Sequence, residues 1–180
     1  INGPQINSLI KMVIDNFSIR ILYFLIVSGV DINEEALGYD ILSYLVKQPY
    51  SLSKKMLEFL INQRIGNRDL ALQTAAIYNN EEAGKLFLKN GANSNSIDES
   101  GETPLHHTCR NNNLDFSRLL INYGANPNIQ NKFGYTALGI VIDSHQNAEL
   151  IRMLLEAGAD PNIGPPGKEP IKFIKEYYGE

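Results

Sequence analysis

Apolar positions in this chain fall in short runs at helical spacing, separated by turns rich in Gly, Asn and Pro. Ile6, Leu9, Ile10, Val13, Ile14 and Phe17 share one side of a helix, and Ile19 to Val27 follow as a second, almost wholly apolar one. Further along, Leu105, Thr108 and Cys109 form the inward stripe of a helix that starts at Pro104. Pro104 loses nothing there by lacking an N–H, and Thr103 stands in the capping position before it. Phe116, Leu119 and Leu120 make the stripe of the next helix, which ends at Gly124, a residue able to adopt the left-handed cap. Near the other end, Ile171 and Ile174 oppose Lys172 and Lys175, after a rigid Pro165-Pro166-Gly167 approach. The pattern predicts an all-α chain of paired helices.

Two phrases recur in phase. Gly101-Glu-Thr-Pro-Leu-His106, Gly134-Tyr-Thr-Ala-Leu-Gly139 and Gly167-Lys-Glu-Pro-Ile-Lys172 stand 33 residues apart. An apolar helix end followed by Gly-Ala-Asn/Asp-x-Asn appears in Leu86–Asn95, Leu119–Asn128 and Leu154–Asn162, and more loosely in Leu25–Asn33. A degenerate copy, Phe59-Leu-Ile-Asn-Gln-Arg-Ile65, has Arg64 where the others have Gly.

A period of 33 carrying Thr-Pro-Leu-His, a turn and then two antiparallel helices, resembles the ankyrin repeat. The resemblance implies a solenoid of stacked helix-turn-helix pairs with β-turn fingers: five pairs, at about 1–34, 35–64, 65–97, 98–130 and 131–164, and a partial repeat at 165–180. All would belong to one domain, 1–180. Several departures are visible. Arg64 precedes Gly91 by only 27 residues, so the finger between the second and third pairs is shortened or absent. Extra residues stand around Gln48–Leu52 between the helices of the second pair, and one near His145–Asn147. Bulky Tyr44, Leu45, Val141 and Ile142 replace small residues of the inner helices, which should spread neighbouring pairs or change the curvature. The first pair is too apolar for a terminal cap facing water, which points to protein before Ile1 or to a docked neighbour. The heavy use of Asn, Ile and Lys, and the divergence of the repeats, are in the style of viral and intracellular-bacterial proteins.

Composition narrows the function. At 180 residues and 43% hydrophobic, the chain can bury its helix pairs against one another. A net charge of −4 gives no footprint for nucleic acid. The run Ile21–Val27 is far shorter than the roughly 20 residues of a membrane span, and reads as a core helix with no membrane insertion. One cysteine makes no intramolecular disulfide, which favours a reducing, intracellular and cytoplasmic setting, a host cytoplasm in the case of a pathogen's protein. There is no phosphate loop, paired metal motif or nucleophile elbow. His106 with Cys109 offers two ligands where zinc needs three or four. In the ankyrin family the histidine of Thr-Pro-Leu-His ties one turn to the next, and the resemblance gives His106 that role, with Cys109 a buried, inert thiol. No enzyme, cofactor or metal is expected.

The resemblance implies a protein-binding module, a monomer or part of a longer chain, whose partner (a host protein is one class) docks on the concave face and finger tips with little backbone change. A spacer solenoid, or the targeting segment of a larger protein or effector enzyme, stays open beside it. The implied contact positions are Ile77 and Tyr78; Glu99, Ser100, Glu102, Arg110 and Asn111; and Lys132, Phe133, Tyr135, Asp143 and Ser144. Phe133 and Tyr135 flank Gly134 at a finger tip, where aromatics either anchor a partner or pack on a neighbouring finger. Glu99 and Glu102 are either contacts or solvated acids. Asn95, Asn128 and Asn162 occupy the finger position that in this family is open to asparaginyl hydroxylation.

Overall fold

The computed structural model describes residues 4–30, 32, 40–144 and 147–178, and among them all regular structure is helical. The chain divides into two compact units, Ile1–Ala92 and Asn93–Glu180. Asp31 and Asn33 of the loose phrase and the inserted His145 and Gln146 lie outside the described residues, as does the Ile6 side chain.

Among the described residues the first unit shows the helix pairs α1 (Pro4–Asp15) with α2 (Ile19–Val27), α3 (Ile41–Val46) with α4 (Tyr50–Asn62), and α5 (Arg68–Ile77) with α6 (Glu81–Lys89). Ile10, Val13 and Ile14 of α1 are buried as their spacing predicts. The expectation that Ile21–Val27 is a core helix is corrected. Only Leu22 is fully buried, while Phe24 is 67% and Val27 66% exposed. The physical reason is that α2 is apolar around most of its circumference, so among the described residues the side chains turned away from its neighbours are left uncovered. Tyr23 meets the ring of Phe59 edge-on at 6.2 Å.

The second pair differs from the loop expectation at Gln48–Leu52. Its helices are joined by residues 47–49, as short a link as in the other pairs, and the extra residues instead lengthen α4 to 13 residues against nine in α2 and α6. An insertion of about one helical turn keeps the inward stripe in register, so Ser53, Met56, Leu57 and Leu60 all remain buried. Leu45 is buried, and Tyr44 is half-buried with its hydroxyl on the Asp15 carboxylate.

The shortened finger is present as predicted. Only residues 63–67 separate α4 from α5. Asp40, 6% exposed, takes over the finger's tying role: one oxygen caps α3 through the Ser43 N–H (2.7 Å), and the other accepts the Asn67 N–H at 2.8 Å. Gly66, at φ +84°, packs so closely on Leu42 that a Cβ would fall 2.6 Å from that side chain. Arg64 takes the left-handed conformation (φ +60°) that glycine adopts in the other copies. Arg64→Gly is therefore expected to stabilise the unit by about 0.5–1 kcal/mol, the relief of left-handed strain less the added chain entropy, read as a higher denaturant midpoint.

The second unit contains α7 (Pro104–Arg110) with α8 (Leu114–Asn122), α9 (Ala137–Ser144) with α10 (Ala148–Glu156), and the single helix α11 (Pro170–Tyr178). Leu105, Thr108, Cys109, Phe116 and Leu120 are buried, and Leu119 is half-buried. Burial raises the Cys109 thiol to about 12, which leaves it inert as expected. Val141 and Ile142 are buried; on α11, Ile171 and Ile174 are half-buried beneath exposed Lys172 and Lys175.

The turns carry asparagine ladders. Asn95 donates to the Gly124 carbonyl (2.9 Å) and accepts the Asn126 N–H (2.7 Å). Asn128 repeats both bonds with Gly158 and Asp160. Asn162 instead turns back to Asp160.

Candidate functional site

In the second unit, the fingers before α7 and α9 are built by one device used twice. Asp98 accepts the N–H groups of Ser100 and Glu102, and 33 residues later Asn131 accepts those of Phe133 and Tyr135. Gly101 and Gly134 supply the positive φ each turn requires. The fingers are tied side by side by the Lys132 N–H donating to the Ser100 carbonyl at 2.9 Å. A Cβ on Gly101 would lie 3.2 Å from the Lys132 nitrogen, so that position needs glycine for space as well as for conformation.

Beneath the fingers lies a buried polar network. His106 accepts the Thr103 N–H on Nδ1 (3.0 Å), and its Nε2 stands 3.0 Å from the Tyr135 carbonyl. A backbone N–H only donates and a carbonyl only accepts, so the proton sits on Nε2 and the ring is neutral. Burial pushes the His106 pKa below its ordinary value. Glu102 is 6% exposed, and the expectation of a solvated acid is corrected for this residue. Its two carboxylate oxygens meet the Arg110 guanidinium at 2.5 Å each, and Asn131 donates to one of them at 2.9 Å. Burial alone would raise the Glu102 pKa; the bonds from Arg110 and Asn131 outweigh it and hold the carboxyl at about 2.

Asp98, Glu102 and His107 bring three potential metal-ligand atoms within 4.8 Å of one another. The arrangement is already complete without a cation. His107 contacts Asp98 at 2.9 Å, and the positive charge beside Glu102 is that of Arg110. His106 and Cys109 do not converge, since both imidazole nitrogens serve the backbone and the thiol faces the Ser117 hydroxyl at 3.8 Å.

Above the network opens a cavity of about 270 Å³, lined by Glu102, Arg110, Asn131, Phe133, Tyr135, Ile140, Asp143 and Ser144. It brings together six of the residues singled out from the sequence. Phe133 is 71% exposed, which removes the alternative that its ring packs on a neighbouring finger. Tyr135 is half-buried; its hydroxyl accepts from the Lys168 ammonium at 2.9 Å, and the same ammonium lies 3.4 Å from Asp143. Glu99, Ser100, Asn111 and Lys132 are exposed elsewhere on the unit. Ile77 and Tyr78 belong to the first unit, exposed, with the Lys47 ammonium 5.5 Å from the Tyr78 ring centre.

Asp98, Asn131 and Lys168 were not among the positions read from the sequence, although the period carried a signal for each. Asn131 follows Asp98 by 33, and Lys168 follows Tyr135, itself 33 after Glu102. Repeated positions in a solenoid stand beside one another, so a charged residue at one copy finds its partner in the next.

Comparison with known proteins rests on the same repeats. The pattern that defines the family described as ankyrin repeats in three copies matches residues 72–164. The chain belongs to the ankyrin-repeat family. A putative ankyrin repeat protein of fowlpox virus is 32% identical over 126 residues, covering 69% of this chain and 35% of the viral protein. An ankyrin repeat protein of monkeypox virus is 37% identical over 100 residues, 54% of this chain and 17% of that protein. An ankyrin repeat and LEM domain-containing protein homologue of Caenorhabditis elegans is 42% identical over 59 residues, 33% of this chain and 8% of its own length. The chain therefore spans about a third or less of each of these relatives. Ankyrin repeats are in general protein-interaction modules, and no described helix is long and apolar enough to cross a membrane.

Proposed function

We propose that this chain is a non-catalytic recognition module, and that its repeats from 1 to 180 form one ankyrin-repeat domain that binds a partner protein through the finger tips and inner-helix ends of the second unit. The observation that carries this reading is Phe133, a large ring 71% exposed at a turn tip, on the rim of a cavity floored by a preformed ion pair. Exposed aromatics beside a fixed guanidinium have the composition of interface anchors. The backbone of both fingers is already held by Asp98 and Asn131, so little ordering is needed on docking. The viral relatives favour a host protein as partner, met in a host cytoplasm.

The test is affinity capture from eukaryotic lysate with quantitative mass spectrometry, comparing the wild type with Phe133→Ala and with Lys132→Ala. Prey that falls at least tenfold with Phe133→Ala supports the module and its site. Prey unaffected by that change, or absent altogether, argues for the spacer reading. Arg110→Glu is unsuited to this purpose, because it would set a second carboxylate against buried Glu102.

A further inference from the structure

We infer that the cavity beneath Phe133 receives a basic side chain, arginine or lysine, from the partner. The inference rests on the recognition reading above and deepens it by fixing the charge of what enters.

Four features point the same way. Phe133 offers an exposed ring at the lip, on which a long aliphatic stem or a guanidinium plane can lie. The cavity's own cation cannot call in an acid on equal terms, since the Arg110 guanidinium is drawn onto both oxygens of Glu102 at 2.5 Å. That pair is internally neutral. Asp143 is then the remaining charged group on the cavity wall, and its carboxylate is 47% exposed. Its counter-ion, Lys168, reaches it only at 3.4 Å and is itself 58% exposed, a contact of the kind that contributes little and yields readily. Ser144 adds a hydroxyl next to Asp143 on the same wall.

Lys168 also shows from within the chain that this wall accepts an ammonium group. Its nitrogen donates to the Tyr135 hydroxyl at 2.9 Å and lies 5.6 Å from that ring's centre. It comes from the turn before α11, and with Asp143 it also lines a second cavity, which includes Glu169, Lys172 and Glu176. A partner's arginine entering under Phe133 would share Asp143 with Lys168, or displace it. The net charge of −4 favours the approach of a basic segment.

The test uses a displayed library of random peptides selected against the whole chain, with binding of the recovered peptides then measured to wild type, Asp143→Asn, Phe133→Ala and Lys168→Ala. The inference expects peptides that depend on one arginine or lysine and lose at least tenfold when that residue becomes glutamine. It expects the same loss with Asp143→Asn and with Phe133→Ala, and equal or tighter binding with Lys168→Ala. Peptides anchored by an acidic or apolar residue, peptides indifferent to Asp143→Asn, or no peptides at this site at all would overturn it. If lysate prey is still lost with Phe133→Ala, the recognition reading survives that failure; if neither peptide nor prey depends on Phe133, both fall.

Discussion

Replacing His106 with alanine is expected to lower the stability of the Asn93–Glu180 unit by about 2–4 kcal/mol, read as a lower denaturant midpoint. A 1% exposed ring leaves a cavity behind, and the Thr103 N–H and Tyr135 carbonyl both lose their partner in a buried setting. His106 reaches from the start of α7 to the next finger, so its loss weakens a helix cap and a link between repeats together. The same residue makes the unit sensitive to mild acid. The folded pKa of His106 lies below the ordinary 6.5, so at pH values between the two the unfolded chain binds the proton more tightly. Its contribution is complete above about pH 6.5 and is lost as the pH falls through and below that value. His106→Gln, which can replace one hydrogen bond but not two, should fall between wild type and His106→Ala and lose this pH dependence. A loss under 1 kcal/mol for His106→Ala would contradict the role assigned to the ring.

The second large effect concerns Glu102 and Arg110. Arg110→Leu is expected to cost about 2–3 kcal/mol at neutral pH, because it strands a carboxylate that is 6% exposed. The value is set below that of a fully buried pair because the Arg110 side chain is 45% exposed. Adding Glu102→Gln to Arg110→Leu should recover most of the loss, since the stranded charge is then gone. For wild type the linkage runs through a depressed carboxyl. The Glu102 pKa is about 2 in the folded protein and about 4.5 unfolded, so its contribution is present above pH 4.5 and disappears as the pH falls from there toward 2. Glu102→Gln should flatten that part of the stability curve. An unchanged acid slope in Glu102→Gln would show that the pair does not hold the unit together.

Much of the fold was legible because the repeat writes each device several times. Thr103-Pro104 and Gly134 specify a cap and a turn that need only local chemistry; the ties made by Asn95 and Asn128 reach the next repeat and were not read. Lengths of inserted segments were less legible. The extra residues at Gln48–Leu52 could extend a loop or a helix, and the choice fell to the helix because a whole added turn preserves the buried stripe of α4. Exposure around a helix was also hidden. Phe24 and Val27 are as apolar as Leu22, and only the number of neighbours packed on α2 separates them. At the site, the contact positions implied by the repeat family grouped Phe133, Tyr135, Arg110 and Asp143, which line one cavity, whereas the partnership of Glu102 with Arg110 spans eight residues and depends on a turn folding back over its helix. Lys168 was missed because its partners lie 33 and 25 residues before it, in the preceding repeat.

The claim that matters most is that a partner protein sits on the Phe133 surface. The direct measurement is site-specific photo-crosslinking in eukaryotic lysate, with a benzophenone amino acid placed at position 133 and, separately, at position 123, where Tyr123 is exposed at the end of α8. The account predicts a discrete crosslinked adduct from position 133 that is absent from position 123. No adduct at 133, or equal adducts from both positions, would contradict it.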